Sequence, residues 1–328
     1  MMPSPQQLRF GPHYDIAVRT AAGARADSQL ENQDNYLLID TGGMACFLEN
    51  QVERRERIAD WPPGHIRLAV LDGMGGHGHG REAAEAVVAG LLTLPACASL
   101  GELCTRLDVL HASLQQHFGA DAHPGKRPGT TLTMLELRPG QAALLYHVGD
   151  SRLYEIADGR ATALTIDHVP ATAFAMEGFL DEASWWEQVH GEHRSQISQA
   201  FILGNVFANP AELSDPLYAL SPDNLPPFLS RMHDRRALEL DPKAVYCLAT
   251  DGFWACPSPQ DWLARWPALL NGSAGTGAAA MNAHLFDEIG NNPPPALHPD
   301  NITAIVLRSS GHADETALPV AGLHSNSS

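Results

Sequence analysis

Basic residues are scarce in this 328-residue sequence, which carries 21 Lys and Arg against 38 Asp and Glu. The formal net charge of −17 repels nucleic acid and anionic membranes, so neither is an expected partner. No stretch approaches the roughly 20 apolar residues that a membrane-spanning helix needs. The first ten residues also lack the charged start and apolar middle of a signal peptide. We therefore expect a cytoplasmic protein, and a monomer.

Cysteine is also rare, at five residues, and no C-x-x-C pair occurs. This excludes a disulfide framework and agrees with a reducing compartment, where such residues are most simply small buried hydrophobes. A cysteine-based phosphatase needs an arginine six positions after its nucleophile, and none of the five cysteines has one. A nucleophilic cysteine is therefore not indicated.

The rest of the composition is that of a globular protein with a full core, at 44% apolar and 18% charged residues. Apolar runs of strand length, most of them bounded by Gly, Asp, Asn or Pro, predict β-strands at 36–39, 66–71, 131–137, 142–148, 152–156, 244–249 and 302–307. Apolar side chains at helical spacing, or helix-favouring composition, predict helices at 81–92, 100–118, 182–189, 259–270 and 278–289.

The order of these elements predicts an α+β fold. Short turns between successive strands indicate antiparallel pairing, and the helices occur in pairs outside the strands, so we expect sheet packed on sheet with helices outside. Residues 1–308 are interpreted as one domain with an elaborated flap at about 169–241, followed by a disordered tail at 309–328. The segment 41–64, which contains three arginines, is interpreted as an insertion with a solvated charged face.

Aspartates recur at the ends of the predicted strands. Asp72 follows an apolar run directly, and Asp150 and Asp251 each follow one after a single residue, whereas Asp34 and Asp300 precede one. A strand end holds a side chain rigidly while leaving it accessible to solvent. We therefore expect several of these carboxylates to converge at one edge of the sheets, although a single Asp-Gly after a strand is more often only a turn.

Converging carboxylates repel one another unless cations lie between them. Mg²⁺ and Mn²⁺ prefer oxygen ligands and keep several waters. Two such ions can share one carboxylate, activate a bridging water and stabilise in-line displacement at phosphorus. Gly73 permits close approach of the backbone, so its carbonyl could also reach a metal.

Six short motifs follow one another along the chain: LDGMGGH at 71–77, GTT at 129–131, VGDSR at 148–152, TIDH at 165–168, ATDGF at 249–253 and DNIT at 300–303. In this order they resemble the motifs of the bacterial type 2C metal-dependent protein serine/threonine phosphatases of the PPM family. The resemblance extends over about residues 23–307. It implies a four-layer α-β-β-α sandwich with two central antiparallel sheets flanked by helices.

The resemblance also implies roles for the aspartates. Asp72 would bridge two Mn²⁺ or Mg²⁺ ions, with the carbonyl of Gly73 as a further ligand. Asp251 and Asp300 would complete the second metal site, and Asp34 would hold metal-bound water. A third ion is optional in this family and would be bound by Asp150.

The implied reaction is hydrolysis of phosphoserine and phosphothreonine monoesters in protein substrates. The water that bridges the two ions attacks phosphorus directly, so Asp72 and Asp251 would act catalytically through that water and no phosphoenzyme forms. The implied partners are phosphorylated proteins, which by family analogy are substrates of a cognate serine/threonine kinase. The implied process is signal transduction by dephosphorylation.

The sequence departs from the family pattern at the phosphate-binding position. Gln29 stands where the family usually has an arginine, five residues before Asp34. Arg25 is the candidate substitute, because a bidentate guanidinium is hard to replace at a phosphate; an ordinary exposed arginine is the alternative. Met74 replaces a histidine that protonates the leaving group in eukaryotic members, so water would take that role.

Three further features allow more than one interpretation. His77 and His79, in the glycine-rich loop, are more simply turn or cap residues than ligands of an oxygen-rich metal site. Trp185 and Trp186 could form a recognition surface, but core packing is the favoured interpretation. The flap segment is where we expect substrate docking.

Two alternative functions remain. Residues 73–78 satisfy G-x-G-x-x-G, the dinucleotide-binding pattern, but Asp72 would repel a pyrophosphate and no strand ending in an acid follows about 20 residues later. The second alternative is a catalytically silent family member that binds phosphoproteins as a regulatory module. The complete set of five aspartates argues against silence, whereas Gln29 is a mild argument in its favour.

Overall fold

The structure is a computed structural model that describes residues 7–24, 31–75, 79–119, 128–270 and 277–310. Arg25, Gln29 and His77 lie outside the described residues, as does the predicted tail from residue 311 onward. The strands are β1 (Tyr14–Ala21), β2 (Asn35–Ile39), β3 (Met44–Glu49), β4 (Val52–Arg57), β5 (Ile66–Leu71), β6 (Gly73–Met74), β7 (Gly129–Thr130), β8 (Leu132–Leu137), β9 (Ala143–Val148), β10 (Arg152–Ala157), β11 (Arg160–Ala163), β12 (Gln199–Ala200), β13 (Gly204–Asn205), β14 (Arg235–Leu238), β15 (Val245–Ala249) and β16 (Ile302–Ser309).

The helices lie in sequence between these strands. They are α1 (His79–Thr93), α2 (Leu100–Gly119), α3 (Pro170–Met176), α4 (Glu182–Trp186), α5 (Pro259–Leu263), α6 (Trp266–Leu270) and α7 (Ala278–Asn291). A π-helical turn, Glu187–Gly191, continues α4, and 3₁₀ turns occur at Ser230–Met232 and Asp251–Phe253. None of the described helices is long and apolar enough to cross a membrane.

Two large sheets form the centre of the molecule. One has seven strands in the order β14-β9-β8-β5-β2-β3-β4, and the other has five in the order β1-β16-β15-β10-β11. Every neighbouring pair in both sheets is antiparallel. The predicted fold class, α+β with two antiparallel sheets, is confirmed.

Side chains along the central strands point alternately to the helices and to the other sheet, and this explains the four layers. In β2, Leu37 and Ile39 belong to a core shared with α1 and α2, whereas Tyr36 and Leu38 belong to the core between the two sheets. The same alternation runs through β5 and β15, and the outer side of the five-stranded sheet is covered by α5, α6 and α7. Because successive side chains point to opposite faces, a strand buried on both faces reads as a continuous apolar run. The four-layer α-β-β-α arrangement follows.

The structure corrects several predicted boundaries. The segment 41–64 is not an insertion, since it contains β3 and the edge strand β4, although all six residues of β4 are exposed as the charged-face interpretation expected. The predicted helix at 259–270 is two short helices, and the one at 182–189 changes from α to π after Trp186. Ser309 ends β16 and does not belong to a tail.

The predicted flap is also smaller than expected, because Arg235–Leu238 forms β14 and pairs with β9 in the seven-stranded sheet. The remainder has a hydrophobic cluster, which includes Ala171, Trp185 and Leu229 and extends to Ile166 just before the segment. Trp185 is 1% exposed, whereas Trp186 is 43% exposed. The core interpretation of this tryptophan pair therefore holds for Trp185 and is wrong for Trp186.

A buried ion pair fixes α1 to the seven-stranded sheet. Arg67, on β5, is fully buried, bonds Glu136 at 2.9 Å and also donates to the carbonyl oxygens of Leu91, Leu94 and Pro95. Arg67→Ala would leave a buried carboxylate and three carbonyls without this partner. We expect a loss of about 3–5 kcal/mol in the free energy of unfolding, measured by urea denaturation. Arg54→Ala, an exposed pair on the same sheet, is the control and should change it by less than about 0.5 kcal/mol.

Candidate active site

The register of the seven-stranded sheet brings two of the predicted aspartates to one edge. Asn35, the first residue of β2, pairs with Leu71, the last residue of β5. Asp34 and Asp72 are the next residues outward on the two strands, so both lie at the same end of this sheet.

The five-stranded sheet places three more aspartates at its corresponding end. Ala249, at the end of β15, pairs with both Ala304 and Arg152. Asp251 lies two residues beyond the end of β15, Asp300 lies two residues before β16, and Asp150 lies two residues before β10.

Hydrogen bonds across the sandwich join the two groups. Oδ2 of Asp34 accepts hydrogen bonds from the hydroxyls of Thr250 and Thr303, each at 2.8 Å. Thr250 leads out of β15 and Thr303 lies on β16, whereas Asp34 belongs to the other sheet. Asp34 is 3% exposed, so these two hydroxyls fix its carboxylate at the junction of the sheets.

The main chain around Asp72 is held as firmly. Its amide donates to Oγ1 of Thr131 at 2.9 Å, and the amide of Thr131 donates to the carbonyl of Asp72 at 3.0 Å. Oγ1 of Thr131 also lies 2.8 Å from Oγ of Ser151, next to Asp150. The GTT and VGDSR motifs thus act together as supports for the aspartates.

Asn301 ties the start of β16 to the chain near Asp34. Its Oδ1 accepts from the amide of Gln33 at 2.7 Å, and its Nδ2 donates to the carbonyls of Ala22 and Glu31, each at 3.0 Å. Ala22 and Glu31 stand on either side of residues 25–30 in the sequence. The residue after Asp300 therefore anchors both ends of the segment that contains Arg25.

The carboxylates strongly perturb one another. Burial raises the pKa of Asp34 to about 8, against hydrogen bonds from the two threonines that lower it, and the charges of Asp300 and Asp251 raise it further. Burial, followed by the charge of Asp251, raises the pKa of Asp300 to about 6. The same two causes, in the same order, raise the pKa values of Asp72 and Asp150 well above the usual range. Asp251 is thus the common neighbour of the other four.

The residues present fit divalent cations. The donors are all oxygens, and Oδ1 of Asp251 is buried without a hydrogen-bond partner among the described residues. Within that part of the chain, no three Asp, Glu, His or Cys side chains form a compact ligand set by themselves. Mg²⁺ and Mn²⁺ keep several waters, so one or two carboxylates for each ion are sufficient. Burial, and after it repulsion between the carboxylates, raises the pKa values of Asp34, Asp72, Asp150 and Asp300, and a bound cation would offset both effects.

His193 is a site residue that the sequence did not reveal. Its Nε2 lies 3.4 Å from Oδ2 of Asp251, and it comes from the segment after the π-helical turn. Burial lowers the pKa of His193, although the charge of Asp251 acts in the opposite direction. No motif surrounds His193, and 58 residues separate it from Asp251, so no local signal identifies it.

Arg152, the first residue of β10, connects the segment before His193 to the five-stranded sheet. Its guanidinium bonds both oxygens of Asp167, donates to the carbonyl of Val189 at 2.9 Å and lies 4.8 Å from the centre of the Trp254 ring. His168 follows Asp167 in the TIDH motif. It is fully buried, and its Nδ1 accepts a hydrogen bond from the amide of Gly149. Both residues therefore support the loop that carries Asp150.

Gly73 is required by close backbone contact. A Cβ at this position would lie 2.4 Å from the carbonyl O of Gln33 and 2.5 Å from that of Gly80. We expect Gly73→Ala to cost about 1–3 kcal/mol in unfolding free energy and to weaken Mn²⁺ binding in calorimetry, because Asp72 must shift. Gly101→Ala is the control: no atom lies within 4 Å of its Cβ, and helix α2 should gain about 0.5–1 kcal/mol. Equal effects of the two substitutions would contradict this account.

Solved structures of known phosphatases share this fold. The serine/threonine phosphatase of S. agalactiae superposes with a TM-score of 0.61 at 20% identity, over 90% of this chain and 99% of that one. The catalytic domain of the serine/threonine protein phosphatase PstP, solved in complex with two manganese ions, gives a TM-score of 0.54 at 22% identity, over 90% and 98%. The chain has the fold of these bacterial phosphatases, and the α-β-β-α sandwich that the motifs implied is confirmed.

Sequence similarity points to the same proteins. A stretch of 137 residues, 40% of this chain, is 36% identical to the serine/threonine protein phosphatase PstP of Mycobacterium tuberculosis. The match covers 26% of the length of that relative. No protein-family model matches the sequence. The resemblance to bacterial PPM-type serine/threonine phosphatases, first indicated by the six motifs, is thus confirmed by both comparisons.

Proposed function

We propose that this chain is a metal-dependent protein serine/threonine phosphatase that hydrolyses phosphoserine and phosphothreonine monoesters. The observation that carries the proposal is the convergence of Asp34, Asp72, Asp251 and Asp300, with Asp150 beside them, at one end of both sheets. Residues 1–308 would act as one catalytic domain, as a monomer in the cytoplasm. The substrates would be phosphorylated proteins, the products of a cognate serine/threonine kinase.

The residues at this end have complementary tasks. Asp72 and the carbonyl of Gly73 would hold the ions together with Asp251 and Asp300, and Asp150 would serve a third ion. Asp34, which the hydroxyls of Thr250 and Thr303 hold in place, would accept a hydrogen bond from a metal-bound water. When bound, two Mn²⁺ or Mg²⁺ ions supply Lewis-acid activation of water and neutralise charge that develops at phosphorus.

Arg25, which lies outside the described residues, is the proposed phosphate-binding residue. Asn301 holds the chain on both sides of the 25–30 segment against the start of β16, close to Asp300, and this supports the assignment. We expect Arg25→Ala to raise KM for a phosphothreonine peptide by roughly tenfold, since a charge-assisted bidentate contact is lost. Adding Gln29→Arg to that variant should restore KM. Unchanged kinetics in Arg25→Ala would remove this residue from the site.

Hydrolysis of p-nitrophenyl phosphate and of a phosphothreonine peptide tests the proposed function. Both should proceed with Mn²⁺ or Mg²⁺ and stop when a chelator is added. If folded protein binds Mn²⁺ in calorimetry but releases no phosphate from either substrate, the proposed activity is wrong. The carboxylates would then support a phosphoprotein-binding module.

A further inference from the structure

The exposed aromatic side chains of the described residues are confined to one small unit. Phe174 on α3, Phe179 in the following turn and Trp186 on α4 are 51%, 76% and 43% exposed. Every other described Phe, Trp or Tyr is buried or partly buried. The amide of Phe179 donates to the carbonyl of Phe174 at 2.9 Å, which closes the turn between the two rings. We call these three residues the aromatic face.

A packed scaffold presents the aromatic face. Behind it, Ala171, Ala175, Trp185 and Val189 are buried in one cluster. The indole N–H of Trp185 donates to Oγ1 of Thr172 at 3.1 Å, which joins α4 to α3. The exposed rings are therefore not a sign of loose folding. Solvent-exposed aromatics on a rigid support are typical of surfaces that bind another protein segment.

The aromatic face is continuous with the active-site end. Phe174 lines a cavity of about 100 Å³ together with Asp150 and His193, and His193 contacts Asp251. A polypeptide whose phosphate lies at the aspartates would therefore pass over Phe174. This continuity identifies the substrate chain as the occupant of the aromatic face.

The charged side chains of the segment that carries the aromatic face are all negative. Residues 170–192 contain no Lys or Arg, and all five of their acidic side chains are exposed: Glu177, Asp181, Glu182, Glu187 and Glu192. The next basic residue, Arg194, is paired with Glu192 at 3.4 Å. A complementary partner segment carries positive charge and an apolar side chain.

We propose that the aromatic face docks the substrate polypeptide, and that preferred substrates carry Lys or Arg and an apolar residue beside the phosphorylated side chain. The inference rests on the proposed phosphatase function and adds the substrate class. Cations of the substrate gain from both the carboxylates and the ring faces, and apolar side chains gain from the rings.

Peptide pairs test the charge preference. A phosphothreonine peptide with flanking Arg and Leu should exceed one with flanking Glu and Ser by about tenfold in kcat/KM. Glu177→Lys/Glu187→Lys should reduce that ratio to about one. Turnover of p-nitrophenyl phosphate, which has no flanking residues to dock, should stay unchanged. The control, Glu56→Lys/Glu212→Lys, alters net charge equally at distant exposed positions and should keep the wild-type ratio.

The aromatic contribution has its own variant. Phe174→Ala/Phe179→Ala should raise KM for the Arg and Leu peptide roughly tenfold with kcat retained, whereas Leu213→Ala, an exposed apolar control, should not. An unchanged peptide ratio in the charge-reversed protein overturns the inference. A loss of p-nitrophenyl phosphate turnover in these variants also overturns it, because docking leaves that substrate untouched.

If the proposed function is wrong, the wild-type protein will not hydrolyse p-nitrophenyl phosphate with any metal ion. In that case the docking inference is tested by binding. The fluorescently labelled Arg and Leu peptide should bind more tightly than the labelled Glu and Ser peptide, as measured by fluorescence anisotropy. Equal binding of both peptides overturns the inference independently of catalysis.

Discussion

Asp251→Asn should reduce metal-dependent hydrolysis of p-nitrophenyl phosphate by at least about 1,000-fold, which corresponds to about 4 kcal/mol of transition-state stabilisation. Asp251 raises the pKa values of four other aspartates, so its charge lies at the centre of the group. Its Oδ1 is also buried without a hydrogen-bond partner among the described residues. An amide keeps the shape of the side chain but removes the charge that a cation requires.

The same substitution should not unfold the protein. Removing one of several repelling charges relieves strain in the metal-free state, so the Tm measured with chelator should stay equal or rise. Asp223→Asn, at an exposed position, is the matched control for activity and should leave kcat unchanged. Retention of more than about a tenth of the wild-type rate by Asp251→Asn would contradict the metal-site assignment.

Stability without metal should fall as pH rises from 4 to 8. The pKa of Asp34 is raised from 3.8 to about 8 and that of Asp300 to about 6, so the folded protein binds more protons than the unfolded chain in this range. Ionising each of these two groups lowers the stability by about 1.4 kcal/mol per pH unit, for Asp300 up to about pH 6 and for Asp34 up to about pH 8. The raised pKa values of Asp72 and Asp150 act in the same direction. Below about pH 4 Asp34 and Asp300 are protonated in either state, and this loss is absent.

Divalent cations should reverse this trend. Metal binds the ionised carboxylates, so the rise in Tm on adding Mn²⁺ should be larger at pH 8 than at pH 5. Differential scanning fluorimetry with chelator and with Mn²⁺ at both pH values measures it. Net negative charge also destabilises the fold as pH rises, so Asp34→Asn is the necessary comparison and should show a shallower slope. An equal Mn²⁺ effect at pH 5 and pH 8 would contradict the coupling.

The strands that sequence patterns predicted are those buried on both faces. Residues 66–71 were predicted with the observed bounds of β5, because six consecutive apolar or buried positions leave little choice. β4, with the sequence VERRER, was missed since it is an exposed edge strand without apolar alternation. Pro267 explains why the helix predicted at 259–270 is divided, because proline fits the first turn of α6, where it is the second residue, but cannot continue the preceding helix.

The candidate site was predictable where local sequence sets the geometry. An aspartate directly before or after a buried strand has a fixed position, and antiparallel register then places Asp34 opposite Asp72. His193 was not predictable, because its contact with Asp251 depends on how the segment after α4 folds back. Likewise, nothing in the Trp185-Trp186 pair indicates which ring is buried, since this depends on how α4 packs against α3, where the indole of Trp185 bonds Thr172.

The interior position of β16 has a consequence for synthesis. β16 lies between β1 and β15, and Thr303 on this strand bonds Asp34 across 269 residues of chain. Domains form from their N-terminal side as the ribosome extends them, and pairings this distant form late. A nascent chain therefore lacks both the centre of its five-stranded sheet and one carboxylate of the proposed metal centre until residues 300–309 have emerged. Chains that stop before residue 300 should therefore lack the proposed phosphatase activity, which should begin only after β16 has been synthesised.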